Sequence, residues 1–296
     1  MPSLQQNVTV VTGAGGHVGQ EVCAQLRAAG KKIVATDIEG EGSVADFARC
    51  DLRSIDEVGR LFQTHRFRAV IHLAAVLPTA YRKDPLAGAA VNLTGALNLL
   101  GEAVKHGGQR FVFASSVSVY GLSGRSMRAL TENDPATPDE PYGASKRAIE
   151  IIGETLHRAQ AIEFAALRIA RVVGPGVKRT NSPWRAQMFQ PTSQIESIFI
   201  PYAPDAKLGV LHVEDAARML ITLAEMEIVS SCIYNCPSEI WQVGELKKLI
   251  EGKRGLRVRL GPAGAYAGAI CDGTRFGQEF GFWLRGLRER LNEGRQ

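Results

Sequence analysis

A chain of 296 residues has room for one large domain or two unequal ones, at roughly 150 residues per domain. With 45% apolar and 22% charged residues it can bury a sizeable core. Its net charge of +5 is spread over modest clusters at 179–185, 247–259 and 285–290, without the dense basic stripe of a nucleic-acid binder.

Residues 8–11 are a β-branched run, predicted to be a strand, and 18–29 carries apolar residues at helical spacing up to Gly30. A second strand over 32–36 ends in Asp37. A helix is expected over 52–63, a buried strand over 69–73, and a long helix over 86–106 that stops at Gly107-Gly108. Residues 110–114 read as strand again, followed by Ser115-Ser116. The polar stretch 121–141 reads as a loop beside the site, 143–159 as a helix and 164–169 as a strand. Strands alternating with helices predict an α/β fold, a doubly wound parallel (Rossmann) sheet.

After Gly174-Pro175-Gly176 turn residues become denser and a basic loop runs over 178–185. Later elements are expected at 209–212 (strand), 214–226 (helix), 232–235 (strand) and 243–251 (helix). The predicted division is a nucleotide-binding core over 1–170 and a smaller, mainly substrate-binding part over 171–296, with late segments returning to the core.

The longest apolar runs, such as 69–77 interrupted by His72, are too short to span a bilayer, so no membrane association is expected. No apolar stretch precedes the first strand, which predicts no signal peptide. Cys23, Cys50, Cys232, Cys236 and Cys271 fall at scattered spacings, and Cys232 with Cys236 lacks the second ligand pair of a zinc site. No metal and a reduced, cytoplasmic setting are the expectation. His72 and His212, each in an apolar strand, read as satisfied core histidines.

The chemistry begins at Thr12-Gly13-Ala14-Gly15-Gly16-His17-Val18-Gly19. Gly13, Gly16 and Gly19 follow a strand and open a helix. The first permits a tight turn, the second lets a pyrophosphate approach the backbone, and the third lets helix and strand pack closely. His17 and Val18, at the helix start, belong to the same phosphate-facing turn. Asp37 lies 24 residues beyond Gly13 at the end of the second strand, where a carboxylate accepts from both adenosine ribose hydroxyls and repels a 2′-phosphate. NAD is therefore favoured over NADP. Asp51-Leu52, after the third strand, is placed either beside the adenine or as a helix N-cap.

Ser116, at a strand's carboxyl end, can donate to a substrate oxygen as charge develops on it. In Pro141-Tyr142-Gly143-Ala144-Ser145-Lys146, a helical four-residue step puts Tyr142 and Lys146 on one face. An ammonium beside a phenol lowers its pKa, so that the phenolate can take a proton from an alcohol near neutral pH.

In this order and spacing the chain resembles the extended short-chain dehydrogenase/reductases, specifically the NAD-dependent epimerase/dehydratase family. Further matching motifs are His72-Leu73-Ala74-Ala75, Asn92, Phe113-Ala114-Ser115-Ser116 with Val119-Tyr120-Gly121, and Leu167-Arg168 with Gly174-Pro175. Others follow at Leu211-His212-Val213-Glu214-Asp215-Ala216, Asp272-x-x-Arg275 and Glu279-Phe280-Gly281-Phe282. The resemblance implies that Tyr142 is the acid/base, that Lys146 lowers its pKa and bonds the nicotinamide ribose, and that Ser116 polarises the substrate oxygen with Ser118 close by. It implies that Leu73, Ala74 and Ala75 line the cofactor groove and that Asn92 supports the site. It also implies homodimers packed through the helices 86–106 and 143–159, with Ala148, Ile151, Ile152 and Thr155 on the shared face, unless they only meet the sheet.

Two positions depart from members that act on nucleotide sugars. Arg171 stands where those carry an asparagine, and Leu208, beside Lys207, stands where they carry a diphosphate-binding arginine. Arg171, Lys178, Arg179 and Arg185 gather instead at the start of the substrate part, and a guanidinium fork matches a carboxylate's two oxygens. The substrate expected is a small anionic molecule, such as a sugar acid or hydroxy acid, held by Arg171 and Arg185. Trp184, Met188 and Phe189 either wall its pocket or pack on the core.

The leading reading is an NAD-dependent dehydrogenase. An epimerase that retains its NAD uses the same residues. A cofactor-sensing or scaffold protein is the alternative of another class, and retention of both Tyr142 and Lys146 argues against it.

Overall fold

The computed structural model describes residues 8–39, 46–108, 110–121, 128–176, 182–191, 193–264 and 267–292. The first part of the chain runs β1 (Val8–Thr12), α1 (His17–Ala28), β2 (Ile33–Asp37), β3 (Phe47–Arg49), α2 (Ile55–Thr64) and β4 (Phe67–His72). Short helices α3 (Pro78–Lys83) and α4 (Pro85–Ala89) lead through a π-helical turn (Ala90–Gly95) into α5 (Ala96–Lys105). Then come β5 (Arg110–Ser116), a 3-10 turn (Val117–Tyr120), α6 (Pro141–Arg158) and β6 (Glu163–Ile169). The remainder comprises β7 (Arg171–Val173), α7 (Trp184–Gln187), β8 (Ser197–Ile200), β9 (Lys207–His212), α8 (Val213–Glu225), β10 (Ile233–Asn235), β11 (Glu239–Gln242), α9 (Val243–Arg254), β12 (Arg257–Leu260), α10 (Thr274–Phe280) and α11 (Leu287–Arg290).

Seven strands form one sheet in the order β10-β6-β5-β4-β1-β2-β3, and every pairing in it is parallel. The expected doubly wound α/β architecture is therefore the observed one. Strand β1 is buried along its whole length, because a parallel sheet is covered on both faces. Alternate residues feed different layers. Val11 and Ile71 join a core with Val22 and Leu26 of α1 and Leu220 and Leu223 of α8. Val10 and Val70 join another with Leu61 of α2, Leu99 of α5 and Ile149 of α6. The order reverses between β1 and β4, and ligands of such sheets bind in the crevice beyond the carboxyl ends there.

The later segments divide their packing. Strand β10 joins the central sheet beside β6, with Ile233 opposite Ala166. A three-stranded sheet, β11-β9-β7, and a parallel pair, β12-β8, surround a separate core of Trp184, Met188, Ile198, Leu208 and Ile250. Trp184 and Met188 are fully buried, so they belong to this core and not to a pocket wall. Helix α6 begins at Pro141, so Tyr142 lies inside it and not ahead of it. Proline is favoured at that first position because its missing N–H would have no helical partner. The helix expected over 86–106 is interrupted by its π-helical turn, a feature with no signature in apolar spacing.

Candidate active site

The glycine turn is built by contact. Gly13 has φ +68°, and a Cβ there would lie 2.6 Å from the Ala74 backbone nitrogen. At Gly19 a Cβ would lie 2.1 Å from the Gly13 carbonyl oxygen. The two positions need glycine because the turn is pressed against both the loop after β4 and its own helix. Thr12 Oγ1 braces that loop, accepting from the backbone N–H of Leu73 at 3.2 Å and of Ala74 at 3.3 Å. Gly16 caps α1, and Gly15 and Gly16 are exposed, so their backbone faces solvent at the positive end of a helix. His17 and Val18 follow, half-buried.

Asp37 closes this end. Its Oδ2 accepts from Gly15 N at 2.9 Å and its Oδ1 from Ile38 N at 2.8 Å, which aims the carboxylate over the glycine turn. Each oxygen retains a lone pair for a ribose hydroxyl. The absence of side chains at Gly15-Gly16 and this carboxylate fit an adenine dinucleotide. Asp51 sits beyond β3 with its carboxylate held by Arg53, and Leu52 is buried against Gly95. The N-cap of α2 is Ser54, which accepts from Glu57 N at 3.3 Å, so Asp51 is not that cap.

Asn92, 3% exposed, clasps the backbone of Val76. Val76 N donates to its Oδ1 at 2.7 Å, and its Nδ2 donates to Val76 O at 3.0 Å. From the π-helical turn it thus fixes the loop that carries Leu73, Ala74 and Ala75, all half-buried beside Gly13.

Ser116 ends β5 and Lys146 reaches back to the same strand end. Its Nζ donates to Ala114 O at 2.8 Å and lies 4.6 Å above the Phe113 ring and 5.8 Å from the Tyr142 ring centre. Tyr142 is hydrogen-bonded to the Ser116 side chain, while Ser116 Oγ donates to Ser118 Oγ at 3.2 Å. The structure therefore brings Ser116, Ser118, Tyr142 and Lys146 together at the carboxyl edge of the sheet. Burial pushes the Tyr142 phenol up to about 12, with the Ser116 hydrogen bond opposing, and pushes Lys146 down to about 7, with Glu150 opposing. The expected lowering of the phenol is not met in this geometry. Desolvation outweighs the Ser116 hydrogen bond, and Lys146 directs its own proton at Ala114 O.

Arg171, at the start of β7, donates through Nη2 to Tyr202 Oη at 3.0 Å and to Ala267 O at 2.7 Å. Arg185 on α7 is half-buried, and its pKa is lowered by desolvation and then by Arg171. Arg185 in turn lowers the pKa of His17, after burial. The two guanidinium groups and the glycine turn are thus electrostatic neighbours. Lys178 and Arg179 lie outside the described residues. Leu208 is fully buried in β9.

His72 is 1% exposed and shares a 2.7 Å hydrogen bond with Thr12 Oγ1, while His212 accepts from Glu214 N at 3.3 Å as the N-cap of α8. Both are the core histidines the sequence implied. Among the described residues no three His, Cys, Asp or Glu side chains gather as a metal site, and no helix is long and apolar enough to cross a membrane.

Sequence reasoning passed over Glu150, which is fully buried behind Lys146 and bound by Ser115, Arg147 and Arg168. The signal was available, since Glu150 repeats the four-residue step from Tyr142 to Lys146.

Fold and site together define a dinucleotide-binding α/β protein with a Ser-Tyr-Lys cluster at the carboxyl edge of its sheet. Residues 9–236 match the NAD dependent epimerase/dehydratase family, and the chain belongs to that family, whose members are NAD-dependent enzymes of the extended short-chain dehydrogenase/reductase type. A UDP-glucose 4-epimerase of Lacticaseibacillus casei is 32% identical over 172 residues, 55% of this chain and 51% of that protein. The chain spans about half the length of the first curated relatives it matches. Among solved structures, MoeE5 in complex with UDP-glucose and NAD is similar with a TM-score of 0.80 at 28% identity, covering 96% of each chain. The L-threonine dehydrogenase from Phytophthora infestans has a TM-score of 0.87 at 19% identity over 97% of each, which shows the shared fold alone.

Proposed function

We propose that this protein is an NAD-dependent oxidoreductase that oxidises a secondary hydroxyl, or reduces the corresponding ketone, of a small polar anionic substrate such as a sugar acid or hydroxy acid. The observation that carries the reading is the meeting of Ser116, Tyr142 and Lys146 at one strand end, on the carboxyl edge of the sheet that also carries the glycine turn. NAD, when bound, supplies the hydride acceptor. Ser116 donates a hydrogen bond to the substrate oxygen, and Tyr142, in its phenolate form, takes the hydroxyl proton and becomes the phenol. Lys146 holds positive charge beside the phenol, so that the proton transfer is not left to an uncompensated buried phenolate.

Substrate charge is read from the arginines. Arg185 is desolvated and senses the charge of Arg171, so two guanidinium groups lie near one another where an anion would find complementary charge. The buried Leu208 removes one usual diphosphate contact. L-threonine, the substrate in the name of the Phytophthora neighbour, is likewise a small carboxylate with a secondary hydroxyl. The second reading, an epimerase, is favoured by the curated relatives, which are named UDP-glucose 4-epimerases. There the ketone is reduced again on its other face and no net NADH appears.

The test is NADH formation by the purified protein with NAD and a panel of hydroxy acids, sugar acids, L-threonine and free sugars, with UDP-glucose assayed for epimerisation. Turnover of one acid, abolished in Tyr142→Phe, is expected. Arg171→Leu should raise KM for that acid about tenfold or more, a loss of about 1.4 kcal/mol of binding. Conversion of UDP-glucose with silence toward every acid replaces this reading with the second.

We also propose a homodimer through α5 and α6. Ile151, Ile152 and Thr155 face away from the sheet, which α6 meets through Ile149 and Gly153. Leu97 of α5 is 40% exposed and Ile151 49%, so an apolar strip is available on both helices.

A further inference from the structure

Helix α6 carries three ionisable side chains at four-residue steps, Tyr142, Lys146 and Glu150, and all three are buried. Glu150 is 0% exposed. Its Oε1 accepts from Ser115 Oγ at 2.6 Å and from Arg168 Nε at 2.9 Å; its Oε2 accepts from Arg168 Nη2 at 2.8 Å and from Arg147 Nη1 at 2.9 Å. Both carboxylate oxygens are thus supplied with donors in the interior. Ser115 is the residue before Ser116 on β5. The donor set therefore joins the catalytic helix to the strand end that carries the site.

We infer that Glu150 is a positioning residue for the proposed reaction: one turn beyond Lys146, its buried carboxylate favours the ammonium form of that side chain on Ala114 O and, through Ser115, anchors the strand end bearing Ser116. The inference rests on the reading of Lys146 as the partner of a proton-transferring Tyr142. Burial drives Lys146 toward its neutral form, and Glu150 is the group that opposes it. The other charged or titratable groups around the pair are Tyr142, Arg147 and Glu154 on α6 itself, Arg168 on β6, Tyr120 on the 3-10 turn and His72 on β4. Burial first, then Lys146, holds His72 down to about 3, so it is neutral. Glu150 is the carboxylate among them that Lys146 senses.

The network also runs outward. Arg168 Nη1 donates to Tyr120 Oη at 2.9 Å, and Tyr120 Oη donates to Asn235 Oδ1 at 2.8 Å. Asn235 on β10 donates through Nδ2 to Leu130 O at 2.9 Å and Asp272 O at 3.2 Å. The charge behind Lys146 is thus tied to the late segments that close over the sheet edge.

The test is carbon-13 NMR of lysine side chains in the NAD-saturated protein, with the Lys146 resonance assigned by its loss in Lys146→Met. Its titration midpoint is compared in the parent, Glu150→Asp, Glu150→Gln, Arg168→Gln and the double variant Glu150→Gln/Arg168→Gln. The double variant removes the carboxylate without stranding a buried guanidinium, so it keeps the question answerable if Glu150→Gln alone does not fold. Without the carboxylate the ammonium is less favoured. The midpoint should fall by about one pH unit or more in Glu150→Gln against the parent and in the double variant against Arg168→Gln alone, and stay near the parent in Glu150→Asp. A midpoint that is the same in Arg168→Gln and in the double variant, with both melting cooperatively, overturns the inference. The NADH panel is read separately. A displaced midpoint in a protein that turns over no acid removes the dehydrogenase reading and leaves Glu150's hold on Lys146 standing.

Discussion

Lys146 illustrates how a buried ammonium costs stability. Its folded pKa of about 7 lies below the ordinary 10.5, so the folded protein resists binding a proton that the unfolded chain accepts. Below about pH 7 both states carry the proton and the full penalty of the buried ammonium is present. Between about 7 and 10.5 the unfolded chain alone carries it, so stability rises with pH, and above that range the penalty is gone. Lys146→Met should therefore melt higher than the parent at pH 6, with the difference fading toward pH 10, and should be inactive. A Tm difference independent of pH would contradict the assigned protonation. Glycine positions at this scale were legible directly, because Gly13 and Gly19 sit where any Cβ meets backbone. The height of the Tyr142 phenol was not, since desolvation depends on everything that packs around it.

Among elements, the π-helical turn at Ala90–Gly95 decides how the loop after β4 is held. Its wider winding accompanies a clasp in which Asn92 satisfies both the N–H and the C=O of Val76. Asn92→Ala leaves those groups without their partner, a loss of about 1–3 kcal/mol. For a protein of this size that lowers Tm by several degrees, read by thermal melting, and the freed loop should weaken NAD affinity, read by titration calorimetry. A variant with unchanged NAD affinity would leave Asn92 a purely structural residue. The helix was expected from its apolar spacing, but the extra residue in its winding was not. The short strands β7, β8, β11 and β12 also escaped the sequence reading. Runs of three or four residues carry too little periodicity to be told from loop.

For the whole molecule, the exposed strip along α5 and α6 is the feature that the isolated chain leaves unexplained. The four-residue spacing of Ala148, Ile151, Ile152 and Thr155 left two alternatives, the sheet or a partner, and the burial of Ile149 and Gly153 shows which face meets the sheet. If two copies pair through this strip, Ile151→Glu places a charge in the interface and should shift sedimentation from dimer to monomer while the fold, followed by circular dichroism, is retained. A parent protein that sediments as a monomer removes the proposal.

The sequence by itself determined the doubly wound sheet, the glycine turn with Asp37 and the order Ser116, Tyr142, Lys146, because these depend on local periodicity and on residue types whose spacing one turn or one strand fixes. It also set apart Arg171 and Leu208. Only the tertiary structure decided that β10 returns to the sheet beside β6, that Trp184 and Met188 are core, and that Glu150, Arg168, Tyr120 and Asn235 form one buried chain behind Lys146. Those contacts join residues up to 115 positions apart, and a buried charge finds its partners through packing, not through spacing.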